Sequence, residues 1–265
     1  MALIVWLSLQ AGQVLAFDVV ELHDDDQLIA LGPYAESLED ASGSLSLGDV
    51  LQQENQPKWK RSDSEMPNFG ITSSAIWLRV PLNNLGKSND GWLFEIAQSN
   101  IDQIDVFVIP VSGKPPLRYQ LGNKHHSDQH INAEPKFVVP LALERNELTW
   151  IYLRVVNDFT IKLPIYILKQ EALSEKRQVE FLIQGSYFGL MAIMALYNLF
   201  IYFSLRDKSY LYYTLFVACF AAWFFIEQGY AFQYLWPNSV YFNSQIHVTF
   251  LAIAATLSIV FTNEF

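Results

Sequence analysis

Between Phe181 and Leu205 lie 25 consecutive residues without a formal charge, more than the roughly 20 helical residues needed to cross the hydrocarbon core of a bilayer. In that solvent every backbone N–H and C=O must be bonded within the chain, so a lone apolar stretch of this length folds as a helix. Two more apolar stretches follow, Ser209 to Ile226 extending through Glu227 toward Tyr230, and Ile246 to about Thr262. The pattern predicts a membrane region over 181–265 with spans at about 183–205, 209–230 and 246–262.

The residues before this region answer to a different solvent. From Phe17 to Glu180 there are 24 acids and 15 Lys or Arg, a net of −9, whereas Arg206, Asp207, Lys208, Glu227 and Glu264 are the only charges after it. An acidic chain with no clustered bases is not built to hold nucleic acid, nor does it carry a polybasic membrane-surface anchor. Arg206 and Lys208 fall in the tight turn between the first two spans. The positive-inside rule puts that turn in the cytoplasm, and therefore the N-terminal region outside. Residues 1–16, MALIVWLSLQAGQVLA, read as a signal peptide cleaved before Phe17, which agrees with that orientation. No base follows Met1, so an uncleaved anchor or a start site placed too late stays open. Cys219, the single cysteine, lies in an apolar helix and has no intrachain disulfide partner.

Residues 17–170 carry the pattern of short strands. Ala75–Val80, Gly91–Ile96, Ile104–Val108, Lys136–Val139, Trp150–Val156 and Leu163–Ile167 are β-branched or aromatic runs of strand length. Turn-forming clusters such as Ser112-Gly113-Lys114-Pro115-Pro116 and Gly122-Asn123 separate them. Along the strand at Trp150, a period of two puts Ile151, Leu153 and Val155 on one face and Trp150, Tyr152 and Arg154 on the other. With one short helix expected around Leu47 to Gln53, the fold class is an all-β jelly-roll or sandwich domain outside the membrane, followed by an α-helical transmembrane bundle. Residues 171–180 are polar and helix-compatible and form the connector.

YFGLMAIMALYNLFIYFSLRDKSYLYYTLF, Tyr187 to Phe216, with its Tyr197-Asn198 pair and Leu205-Arg206-Asp207 turn, and GYAFQYLWP, Gly229 to Pro237, resemble the first spans and first outer loop of the bacterial seven-transmembrane receptors with diverse intracellular signalling modules. AIWLRVPLNN (Ala75 to Asn84), WLFEIAQSNIDQIDVFV (Trp92 to Val108) and IYLRVVNDFTIKLPIYI (Ile151 to Ile167) resemble that family's type 2 extracellular sensory domain, a jelly roll similar to carbohydrate-binding modules. The resemblance implies a receptor in the bacterial cytoplasmic membrane. It would sense a small-molecule ligand, a carbohydrate or another small polar molecule, and relay it to a cytoplasmic output such as a GGDEF diguanylate cyclase or a histidine kinase. Four further spans and the output are not in these residues, so the chain reads as a fragment. The alternative is a membrane-anchored binding or adhesion module without signalling.

No nucleophile paired with a base, no phosphate-cradling glycine loop and no metal-ligand pair at helical spacing occurs in the sequence, so no catalytic residue, metal or cofactor is expected. His125, His126, Asp128 and His130 hold enough donors for a metal, but in a loop they read as a solvated turn, as do Asp24, Asp25 and Asp26. Trp77 and Trp92 read as core. Trp150 and Tyr152, with Arg154 on the same face, and Arg79 are the candidate ligand contacts, since aromatic faces stack on sugar rings and a guanidinium bonds hydroxyls. In the membrane region Asn198 and Gln184 read as interhelical hydrogen-bonding groups, and Glu227 as an acid at the outer interface rather than a proton relay. The expected partners are the ligand, the lipid bilayer and, as an admissible assembly, a second copy in a homodimer.

Overall fold

The computed structural model describes residues 18–52, 58–87, 89, 91–124, 136–236 and 240–264, with the side chains of 240–244 left aside. The segment read as a signal peptide and the turn with His125, His126, Asp128 and His130 lie outside the described residues. In chain order the strands are β1 (Val20–Leu22), β2 (Leu28–Ala30), β3 (Glu36–Asp40), β4 (Lys60–Arg61), β5 (Asn68–Ile71), β6 (Ala75–Asn84), β7 (Trp92–Ile96), β8 (Gln103–Pro110), β9 (Leu117–Leu121), β10 (Phe137–Leu141), β11 (Leu148–Val156), β12 (Thr160–Lys162) and β13 (Ile165–Lys169). The helices are α1 (Leu47–Leu51), α2 (Gln170–Leu205), α3 (Lys208–Glu227), α4 (Tyr230–Tyr234) and α5 (Val240–Glu264).

β6 and β11 are the longest strands and the spine of the larger sheet, whose order is β4-β3-β6-β11-β8-β9. β6 is long enough to take two neighbours on one edge: β3 pairs antiparallel with its first half and β1 parallel with its end. The second sheet has the order β10-β7-β13-β2, and β5 and β12 form a separate pair. Ile76, Leu78 and Val80 of β6, Ile151, Leu153 and Val155 of β11, and Ile104 and Val106 of β8 share one core with Phe94, Ile96, Val139, Ile165 and Ile167 of the second sheet. The N-terminal region is thus a β-sandwich, and the period-two alternation of β11 sets which face is inside.

The outer face of the large sheet is not left bare. Leu38, Trp77, Phe107 and Tyr152 form a second cluster with Val50 and Trp59, which the chain between β3 and β4 brings over the sheet. Asp40 starts that crossing. Its carboxylate accepts the Ser42 hydroxyl at 2.6 Å and the backbone N–H groups of Gly43 at 3.0 Å and Leu45 at 2.9 Å. Ser46 and Asp49 then form a capping box that starts α1. Burial pushes the Asp40 carboxyl up, but the bonds from Ser42, Leu45 and Gly43 outweigh it and hold the group below the usual carboxylate range. A carboxyl depressed on folding stabilises above its unfolded pKa, and the contribution fades as pH falls through the folded value. Asp40→Asn should therefore cost about 1–3 kcal/mol at pH 7, and urea unfolding should show the gap to wild type closing below about pH 4. A gap unchanged at pH 3 would rule out the carboxylate as its origin.

β13 passes into α2 without a linker, Lys169 ending the strand and Gln170 opening the helix. At 1.5 Å per residue the 36 residues of α2 run about 54 Å, well beyond a hydrocarbon core of about 30 Å. The connector and the first span are therefore one helix, and its first turns stand above the membrane against the sandwich. Among the described residues, three helices are long and apolar enough to cross a membrane: Gln170–Leu205, Lys208–Glu227 and Gln245–Glu264. The α2–α3 turn closes with Arg206 in a left-handed conformation, φ 59°, and Asp207 accepting the Ser209 N–H at 2.9 Å. α3 packs between α2 and α5. Leu182, Leu190, Leu196 and Phe200 of α2 project outward, as side chains facing lipid or further helices do.

Candidate functional site

Cross-strand register assembles the residues singled out in the sequence. On the outer face of the large sheet, Tyr152 sits between Arg79 of β6 and Phe107 of β8, and Arg154 between Trp77 and Asp105. The structure thus brings Arg79, Trp150, Tyr152 and Arg154 together. It also occupies much of what they offer. Arg79 is 3% exposed, bonded through Nε to Glu36 at 2.7 Å and through Nη2 at 2.6 Å. Its guanidinium lies 4.3 Å from the Trp59 ring centre and 5.5 Å from that of Trp150. Tyr152 is 4% exposed, between Trp59 and Trp150. Burial raises its hydroxyl above the ordinary value, against the pull of Arg79. Arg154 donates to the Gly43 carbonyl at 2.8 Å and lies 3.8 Å from the buried Asp105, which also binds Arg118 at 2.8 Å. Trp150 and Arg154 are half-buried. Trp77 stacks on Phe107 and Trp92 joins the central core. Asp24 and Asp26 accept backbone N–H groups of Lys87 at 2.8 Å and His23 at 2.7 Å.

A second constellation forms where the sandwich meets the helices. Polar side-chain contacts pin the two parts. Lys176 of α2 binds Glu95 of β7, a carboxylate only 2% exposed, and its ammonium lies 4.1 Å over the Tyr166 ring. Lys136 binds Glu180 at 2.6 Å. Asn100, in the β7–β8 loop, donates its side-chain N–H to the Glu227 carbonyl at 2.9 Å, at the end of α3.

Glu227 in turn meets His247 of α5, Oε2 to Nε2 at 2.5 Å, and the imidazole ring packs against Phe159 of the sandwich and Trp223 of α3 at 5.9 Å each. Between these contacts lies a cavity of about 660 Å³. Its walls come from the β7–β8 loop, from Phe159 and Thr160 after β11, and from Glu227, Gln228 and His247 of the helices. Gly122 shapes the sandwich side. It has φ +110°, and a Cβ there would stand 2.6 Å from the Asp102 carbonyl, so only glycine fits the turn that sets Asp102 and Asn123 on the wall. Asp102 binds Lys124 at 3.0 Å, and Lys124 also binds Asp158 at 2.9 Å. The bond to Asp158 raises the Lys124 ammonium, and Asp102 adds to it against burial.

Of the membrane candidates, Gln184 accepts a hydrogen bond from the Tyr230 hydroxyl across helices, whereas Asn198 donates to the Met194 carbonyl of its own helix at 2.9 Å. Glu227 lies at the outer end of α3, in contact with the sandwich. Asn100, Glu95 and His247 were not singled out in the sequence. A lone imidazole opening the third apolar stretch was the available signal for His247.

The family model described as 7TMR-DISM extracellular 2 matches residues 32–169, and the one described as 7TM diverse intracellular signalling matches residues 180–265. Comparison with curated proteins gives no match. Among solved structures, the insecticidal crystal protein Cry2Aa is similar over 39% of this chain at 12% identity and a TM-score of 0.24, and the chain spans only 18% of its length. The C-terminal CBM6 of LamC, a marine laminarinase from Zobellia galactanivorans, is similar over 51% of this chain and 99% of its own at 10% identity and a TM-score of 0.23. At these TM-scores neither likeness carries an argument.

Proposed function

This chain belongs to the family of seven-transmembrane receptors with diverse intracellular signalling, as a type 2 extracellular sensory domain joined to the membrane region, and on that premise we propose how it signals. The sandwich binds a small polar molecule, a carbohydrate being one such class, outside the bacterial cytoplasmic membrane. The change passes through α2 and α3 to an intracellular output module, with the Arg206–Lys208 turn on the cytoplasmic side. Of the four sheet-face residues, half-buried Trp150 and Arg154 are the pair a ligand there could touch, with Arg79 and Tyr152 as their buried support.

The observation that supports a relay is the junction itself: a strand continuing into a spanning helix, pinned to the sandwich by Lys176–Glu95 and Lys136–Glu180. Ligand that favours one arrangement of the sandwich then favours one arrangement of the helices, a population shift. Labels at Ser73→Cys, outside, and Ser204→Cys, at the inner end of α2, in a Cys219→Ser background, report this distance in nanodiscs. A neutral sugar or amino acid that raises the melting temperature should move the label pair by about 1–2 Å. Stabilisation with an unmoved pair would make the helices anchors and the protein a binding module.

A further inference from the structure

We propose that the cavity between the sandwich and the helices is a second ligand site, one that takes a neutral polyhydroxylated molecule of mono- to disaccharide size. Its volume, about 660 Å³, lies within the range of about 300–1,000 Å³ typical of small-molecule pockets. The lining decides the class. Five residues with carboxamides line it, Asn68, Gln98, Asn100, Asn123 and Gln228, with the hydroxyl residues Ser99 and Thr160; Gln98 already bonds the Thr160 carbonyl and the Lys162 N–H, and Asn68 the Gly70 N–H, which puts most weight on Asn123 and Gln228. A carboxamide presents donor and acceptor together, which matches a sugar hydroxyl that is both.

The charges on the wall are already answered by protein groups. Asp102 has Lys124, Lys136 has Glu180, and Glu227 has a hydrogen bond with His247 and Lys162 of the same wall as an electrostatic partner. A compensated wall gives a charged ligand no advantage over a neutral one. The ring of Phe159 supplies one apolar face beside them. Asn100 adds a specific opening: its Nδ2 is spent on the Glu227 carbonyl, while its Oδ1 is buried with no partner among the described residues. An orphaned buried acceptor is costly, and a turn of the side chain that brings Oδ1 to the cavity would let a ligand hydroxyl satisfy it.

The placement has a consequence that rests on the receptor reading. Gln228 and His247 belong to the helical side and Gln98, Asn100 and Asn123 to the sandwich, so a bound ligand bonds both parts at once and its affinity differs between their arrangements.

The test is calorimetric titration of the full chain in nanodiscs with neutral mono- and disaccharides, with glucuronate and glucosamine as charged probes. At least one neutral sugar should bind, more tightly than its charged analogues. Asn100→Leu and Gln228→Leu should each weaken it roughly five- to tenfold, one lost hydrogen bond each, with both variants checked for wild-type melting behaviour. Asn100→Leu also breaks the bond to Glu227, so Gln228→Leu keeps the site testable if the first variant is destabilised. Binding by none of the neutral sugars, affinity unchanged in a folded Gln228→Leu, or preference for a charged probe would each overturn the site. Titration reads the cavity and the label pair reads the relay, so a failed titration beside a moving pair would remove this site and leave the receptor reading intact.

Discussion

Arg79→Met is expected to cost the sandwich about 3–5 kcal/mol, the range for removing one member of a buried ion pair. The guanidinium is 3% exposed and makes two bonds to one Glu36 oxygen, while its flat face lies over Trp59 and edges Trp150. Methionine keeps much of the stem's volume and removes the charge, which strands Glu36 and forfeits the cation–π contacts. Arg79→Lys should recover only part of the loss, since an ammonium neither holds two N–H groups in a fixed fork on that oxygen nor stacks as a plane. The double variant Glu36→Met/Arg79→Met should be more stable than Arg79→Met alone, because no uncompensated charge remains. Denaturant unfolding followed by near-ultraviolet dichroism of the tryptophans measures all three. A single-variant cost under about 0.5 kcal/mol, the range of ordinary surface changes, would show that the pair does not hold this face.

Arg79 also marks where sequence reasoning stops. Period-two alternation placed Trp150, Tyr152 and Arg154 on one face of their strand, and the register adds Arg79 to it. What covers that face is a separate matter. The cover is the chain between β3 and β4, and β3 itself, Glu-Ser-Leu-Glu-Asp, has no β-branched or aromatic residue to announce a strand. A strand whose charges are spent on Arg79 and on the crossing that Asp40 starts is legible only once those partners are known. β1 pairs in parallel across 62 residues of chain, Val20 with Leu82, for which no local signal exists. The spans, by contrast, were legible because lipid imposes length and charge exclusion on every residue of a helix. The connector at 171–180 was legible as polar and helix-compatible, but the contacts that pin it to the sandwich were not, for the same reason as β3. Asn100 and Glu227 are 127 residues apart, and Glu95 and Lys176 are 81 apart, so Asn100, Glu95 and Lys176 look like ordinary polar residues, and Glu227 like an interfacial acid, until topology brings the partners together.

The Glu95–Lys176 pair carries the second large effect, on the docking of α2 rather than on the sandwich core. Glu95 is 2% exposed, in the middle of β7 and paired across strands with Val138 and Tyr166. Docked α2 covers that carboxylate, so the charge is shut away from water only while the helix is in place. Lys176 answers it from the second turn of α2, with the Tyr166 ring holding the ammonium from the other side. Lys176→Met should then cost about 3–5 kcal/mol in the docked state. The helix has a cheaper way out than global unfolding, because its first turns can lift off and let water reach the carboxylate. Hydrogen exchange should therefore speed up over residues 170–180 in Lys176→Met while the amides of β6 and β11 keep their protection. The double variant Glu95→Gln/Lys176→Met should restore part of the protection, since a neutral amide needs no counter-charge. In the labelled receptor, Lys176→Met should broaden the distance between Ser73→Cys and Ser204→Cys, because the sandwich no longer holds one orientation on the helix. Unchanged exchange over 170–180 in the single variant would show that Lys136–Glu180 and the strand-to-helix continuity suffice to dock α2. The relay would then run through the backbone and not through the buried charge.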